Sequence, residues 1–181
     1  MPDSTAPWPH VIETTDSKGD LELPEQHSTK PVAVITGASS GIGAATARAL
    51  AAHGYQLALL ARRIDRLKDL AAQLDGTTVT IAADLTDRDA LVAAADQIEQ
   101  QLGGADVLVN NAGVMLLGPF GSTQREETRR MVEVNLLGAM TATEVFLDQL
   151  REGGGDLVNI SSVAGRTARA GNAVYAATNG A

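Results

Sequence analysis

The chain of 181 residues contains no cysteine, which excludes a disulfide framework and any thiolate metal or redox centre. Aromatic residues make up only 3% of it, so a core must be built from aliphatic side chains. Histidine is scarce: His10, His27 and His53 are the only three, and none lies downstream of residue 53. Positive charge is the minority sign, with 14 Lys and Arg against 22 Asp and Glu and a net charge of −8. That balance argues against a nucleic-acid surface. No apolar run approaches the roughly 20 residues of a membrane span, and the N-terminus lacks the apolar stretch of a secretory signal. A cytoplasmic location without membrane attachment is therefore expected. Asn159-Ile-Ser161 matches a glycosylation sequon, but it falls in an expected core strand and is read as chance.

What is present divides at residue 30. Residues 1–30 hold four of the six prolines and no amphipathic period. Six acids there face Lys18 and Lys30, which places −4 of the −8 in this segment. Such a composition is expected to be disordered, with the lone Trp8 as the one candidate for docking. The remainder, residues 31–181, reads as one domain.

Val32 to Ile35 reads as a short buried strand, followed by a turn with glycines at 37, 41 and 43 and then by the alanine-rich run to Leu50. A strand, a turn nearly free of side chains and a helix N-terminus make a pocket of backbone N–H groups that suits a phosphate. The spacing is G-x-x-x-G-x-G rather than G-x-G-x-x-G. Gly37-Ala-Ser-Ser-Gly41 also fits the G-x-S-x-G elbow of a serine hydrolase, with Ser39 as nucleophile. That reading needs a late histidine, and the chain has none.

Strand and helix patterns then alternate. Gln56–Ala61 reads as a second strand, and Leu67, Leu70, Ala71 and Leu74 mark an amphipathic helix. Thr77–Ala82 reads as a third strand, and Thr86 with Asp89 resembles a capping box before a helix with a Leu91, Ala95, Ile98, Leu102 stripe. Asp106–Asn110 is a fourth strand, a long helix is expected over roughly 123–150, and Asp156–Ile160 is a fifth strand. Apolar strands separated by helices imply an α/β fold: a doubly wound, Rossmann-like parallel sheet in three αβα layers, with ligands at the carboxyl ends of the strands.

Several polar residues follow those strand ends. Arg62 and Arg63 stand where an acid would favour the ribose hydroxyl of NAD and an arginine the 2′-phosphate of NADP. Ser40 precedes Gly41 where a base would add a further phosphate contact, so the arginine pair stands alone. Asp84 follows the third strand, Asn110-Asn-Ala-Gly113 the fourth, and Ser161-Ser162 the fifth; Asn135 lies in the long helix and Tyr175 comes thirteen residues after Ser162.

With Thr36-Gly-Ala-Ser-Ser-Gly-Ile-Gly43, these residues make the chain from 31 onward resemble a classical short-chain dehydrogenase/reductase. The resemblance implies an oxidoreductase that moves a hydride between a nicotinamide dinucleotide, NADP(H) rather than NAD(H), and a small alcohol or carbonyl substrate. It implies cofactor contacts from Gly37, Ser39, Ser40, Gly41, Ile42, Gly43, Arg62, Arg63, Asp84, Leu85, Asn111, Ala112 and Gly113, and no metal. Tyr175 would be the general acid/base, Ser162 would hold the substrate oxygen, and Asn135 would hold a water of the proton relay. A homo-oligomer is implied for a complete member.

Two departures qualify the resemblance. The family's lysine, four residues after the tyrosine, is here Asn179. A phenol titrates near pH 10, and a neighbouring cation typically lowers an acid's pKa by about 1–3 units, which an asparagine cannot do. The family pattern also continues past Ala181 through further strands and helices, so a C-terminally truncated chain with an exposed fifth strand is expected. A non-catalytic dinucleotide-binding module and an inactive truncated product are the alternative readings.

Overall fold

Five apolar runs pair into one parallel sheet in the computed structural model, which describes residues 30–119, 121, 125–167 and 169–180. They are β1 (Val32–Thr36), β2 (Gln56–Ala61), β3 (Thr78–Ala82), β4 (Val107–Asn110) and β5 (Asp156–Asn159), in the order β3-β2-β1-β4-β5. The helices are α1 (Gly41–Ala52), α2 (Ile64–Ala71), α3 (Arg88–Leu102), α4 (Arg125–Val132), α5 (Ala139–Gly153) and α6 (Ala173–Asn179). The chain winds outward from β1 through β2 to β3, then returns to lay β4 on the other side of β1. The strand order therefore reverses between β1 and β4, and a crevice opens at their carboxyl ends.

Alternate residues of the central strands enter two separate cores. Ala33, Ile35, Leu57 and Leu59 meet Ala47 of α1 and Leu67 and Leu70 of α2. Val32, Val34, Ala58, Leu60 and Leu108 meet Leu91 and Ile98 of α3 and Phe146 and Leu150 of α5. Covering both faces is why these strands are apolar throughout rather than alternating. The expected doubly wound, three-layer architecture is thus observed. The acidic segment expected to be disordered, Trp8 included, lies outside the described residues except for Lys30.

Three local expectations change. Asp87, not Thr86, caps α3, accepting a hydrogen bond from the Ala90 N–H at 3.1 Å. Thr86 is already committed to Asp84, to which its N–H and hydroxyl donate at 3.1 and 2.9 Å. The long helix is interrupted by a π-helical segment, Glu133–Gly138, between α4 and α5, an insertion that no periodicity argument resolves. Helix α2 ends at Ala71, so Leu74 packs on the α1–α2 core from beyond the helix. β5 pairs only with β4 among the described residues, and Leu157 and Val158 are 44% and 41% exposed. The exposed edge lies where it was expected.

Phe146 is fully buried and the largest side chain of the α3–α5 core. Phe146→Ala should cost about 3–5 kcal/mol in a denaturant unfolding experiment, because the site is hemmed by strands that cannot collapse onto the void. A loss well below that range would show that α5 does not anchor this layer.

Candidate functional site

The glycine turn owes its shape to two close approaches. Gly37 has φ +67°, and a Cβ there would stand 2.6 Å from the Ala112 Cα. Gly43, in the first turn of α1, packs against Asn111, and a Cβ would strike the Asn111 amide and lie 2.7 Å from the Gly37 carbonyl oxygen. The loop after β1 and the loop after β4 are therefore pressed together without intervening side chains. Ser40 enters α1 in an extended conformation without a side-chain cap, and the first turn carries no acid. The positive end of the helix is left open to an anion.

The two loops are also tied by hydrogen bonds. The Thr36 hydroxyl donates to the Val109 carbonyl at 3.3 Å and accepts from the Asn111 and Ala112 N–H groups at 3.0 and 3.1 Å. The Asn111 side-chain amide donates back to the Thr36 carbonyl at 2.9 Å and to that of Gly37 at 3.3 Å. Asn110 reaches the other way, its amide donating to the Ala139 carbonyl, the Thr143 hydroxyl and Asn159 Oδ1 at 2.9–3.2 Å.

A cleft of about 310 Å³ runs along these strand ends. Every residue expected at the cofactor borders it except Gly41 and Gly43, which shape the turn behind it. Arg63 folds back over the glycine loop, donating to the Ser39 and Ser40 hydroxyls at 2.9 and 3.2 Å. Arg62 lies 3.9 Å from Asp84, at the limit of an ion pair, and is 61% exposed. Two guanidinium groups from adjacent residues thus border the cleft from different sides.

Arg130 of α4 also lines the cleft, and sequence reasoning missed it. It donates to Asp84 Oδ2 at 3.1 Å from a position 46 residues away, with no local signal to announce the contact. Both Asp84 carboxylate oxygens already accept hydrogen bonds, Oδ1 from Thr86 and Oδ2 from Arg130. Burial pushes the Asp84 carboxyl up. The Thr86 hydrogen bonds and the Arg130 pair outweigh it, so the group titrates below its ordinary 3.8.

A second cavity, of about 760 Å³, is lined by Asn135, Ser162, Tyr175 and Asn179 together with the Asn111–Gly113 turn. Both N–H donors of the Asn135 side chain are engaged, and its oxygen accepts one hydrogen bond. Its Oδ1 accepts from the Val114 N–H at 2.8 Å, and its amide donates to the Val114 carbonyl and the Thr178 hydroxyl at 2.9 and 3.1 Å. It clamps the loop after β4 to α6. Ser162 Oγ accepts from the Ala164 N–H at 3.1 Å, capping a short 3₁₀ turn. The Asn179 amide folds back onto the Tyr175 carbonyl at 2.8 Å, while the Ser161 hydroxyl donates to the Asn179 carbonyl at 2.8 Å. All the expected catalytic positions therefore share one cavity, continuous with the first cleft through Ile42 and the Asn111–Val114 turn.

The family model described as short chain dehydrogenase matches residues 31–181. The chain belongs to the short-chain dehydrogenase family. A glycine betaine reductase of Emericella nidulans is 41% identical over 160 residues, which are 86% of this chain and 13% of that protein. An uncharacterized oxidoreductase of Staphylococcus saprophyticus is 37% identical over 149 residues, 81% of this chain and 61% of that one. Among solved structures, an alcohol dehydrogenase of the archaeon Thermococcus sibiricus, complexed with 5-hydroxy-NADP, is similar with a TM-score of 0.81. It shares 36% sequence identity, over 83% of this chain and 66% of that one. A short-chain dehydrogenase of Streptomyces avermitilis gives a TM-score of 0.79 at 39% identity, over 86% and 57% of the two chains. The chain thus spans at most 66% of the length of these relatives. The hydrolase alternative for Ser39 has no support, since its hydroxyl accepts from Arg63 and no histidine lines the cleft among the described residues.

A carboxyl with a depressed pKa adds stability that is present above its ordinary value and is lost as pH falls through the folded-state value. Arg130→Gln removes a charge and a hydrogen bond from Asp84, so the Asp84 carboxyl should move up and the acid limb of the stability curve should flatten. A carbon-detected NMR titration of Asp84 checks this; an unmoved midpoint would mean that Thr86 alone holds the shift.

Proposed function

We propose that the chain is the cofactor-binding and catalytic part of an oxidoreductase that uses NADP(H) in preference to NAD(H) on a small alcohol or carbonyl compound. The observation that carries the NADP(H) preference is the pair Arg62 and Arg63 at the cleft, with the nearby carboxylate of Asp84 already held by Arg130 and Thr86. An uncapped helix N-terminus and two guanidinium groups form a donor set that fits a dinucleotide bearing a further phosphate. In this reading the turn at Gly37–Gly43 holds the pyrophosphate and Arg62 and Arg63 hold the 2′-phosphate. Asp84 and Leu85 border the adenine, and Asn111, Ala112 and Gly113 line the path toward the nicotinamide. When bound, the nicotinamide supplies or accepts a hydride at carbon.

The residues of the second cavity do the proton chemistry. Tyr175 exchanges a proton with the substrate oxygen. The Ser162 Oγ accepts from Ala164, which leaves its own hydrogen free to donate to that oxygen. A relay water at Asn135 meets acceptors rather than side-chain donors, because both amide N–H groups are spent on Val114 and Thr178. Asn179 brings no positive charge to Tyr175, and this limits turnover rather than cofactor binding.

Equilibrium binding tests the first claim. NADPH should bind at least about tenfold more tightly than NADH, and Arg62→Asp should abolish that ratio mainly by weakening NADPH. Equal affinities in the unaltered chain would refute the NADP(H) reading. For the second claim, Asn179→Lys in the whole protein should raise kcat by about tenfold or more with little change in dinucleotide affinity, the scale of one pKa unit or more on the proton donor. An unchanged kcat would remove Asn179 as the limiting feature.

A further inference from the structure

Charge is distributed unevenly along this acidic chain. Asp156 is its last acid, and from Leu157 onward the only charged residues are Arg166 and Arg169. Both lie between β5 and α6, and among the described residues neither forms an ion pair. This contrasts with Arg62, Arg63 and Arg130, each of which has a partner at the dinucleotide cleft.

Arg169 borders a third cavity, of about 720 Å³, which shares Met115, Ser162 and Tyr175 with the cavity of the expected catalytic residues. It is the only charged residue in that lining among the described residues. The apolar part of the lining comes from Met115, Leu117 and Pro119, and Met115 and Leu117 are 57% and 62% exposed. Asn172 lines it too, and its side-chain oxygen is buried without a hydrogen-bond partner among the described residues. The wall is held in place where the Gly118 N–H donates to the Gly171 carbonyl at 2.9 Å, joining the loop after β4 to the loop before α6.

We propose that this cavity is the substrate site and that its substrate is an oxo- or hydroxy-carboxylate. The anionic end is held by Arg169 and the apolar body lies along Met115, Leu117 and Pro119, which brings the reacting oxygen to Ser162 and Tyr175. This rests on the oxidoreductase reading above and adds a specificity-determining residue to it. A guanidinium stays charged across the working pH range and presents paired donors that match a carboxylate. One that forms no ion pair among the described residues and shares a cavity lining with Tyr175, in a chain of net charge −8, selects for an anion that the rest of the surface repels.

Binding measurements on the chain saturated with NADPH separate this proposal from the reading beneath it. Levulinate and its longer oxo-alkanoate homologues are titrated against their methyl esters by calorimetry. At least one acid should bind about tenfold more tightly than its ester, the preference weakening with added salt. Arg169→Gln should erase that preference while leaving NADPH affinity unchanged, and Arg169→Lys should keep part of it. If NADPH does not bind, the oxidoreductase reading fails and takes this proposal with it. If NADPH binds but acids and esters bind alike, or if the preference survives in Arg169→Gln, only this proposal is overturned. A fall in NADPH affinity in Arg169→Gln would likewise overturn it, by assigning the arginine to the cofactor.

Discussion

The seam between β1 and β4 depends on one hydroxyl. Thr36 is buried at the last position of β1, and its Oγ1 both donates to β4 and accepts from the two N–H groups that follow it. Those three groups sit where the strand order reverses and where no further ladder bond is available to them. Left unpaired, each would cost about 1–3 kcal/mol. The Asn111 amide, donating back to the carbonyls of Thr36 and Gly37, closes the same knot from the other side. The junction is thus satisfied internally, beside the glycine turn whose Gly37, Ser39 and Ser40 border the cleft.

The site inherits its layout from that junction. One side of the seam carries the glycine turn, Arg62, Arg63 and Asp84, and the other leads through Ala112 and Gly113 to Asn135, Ser162 and Tyr175. The clamp made by Asn135, from a π-helical segment to both Val114 and Thr178, sets the loop after β4 against α6. A π segment is rarely kept without a reason, since its hydrogen-bond geometry is poorer than that of an α-helix. Here it lets one side chain serve two elements at once.

Charge follows the same division. Two cations of the strand-end cleft are tethered, Arg63 to two serine hydroxyls and Arg130 to Asp84, so their positions are set before any ligand arrives. Preorganised charges need less reordering to meet an anion than mobile ones. Arg169 has no such tether among the described residues, as the proposed substrate site would require of a group that admits and releases its ligand.

The strands, their parallel pairing and the strand-end residues that line the cleft were legible in local sequence, Arg130 from α4 being the exception, because buried strands, glycine turns and strand-end polar residues each follow from short-range chemistry. The same holds for the asparagine at position 179, whose lack of charge needs no structure to establish. Tertiary structure alone decided how those residues are used. It gave the carboxylate of Asp84 to Arg130 and the amide of Asn135 to Val114 and Thr178, turned the Asn179 amide back onto Tyr175, and moved the α3 cap from Thr86 to Asp87. For Asp84 and Asn135 the physical reason is that a polar side chain has several partners within reach, and the one it takes lies on a distant element that packing brings alongside. For Asn179 and Asp87 the partners are local, and the choice among them follows from where the helix begins or ends.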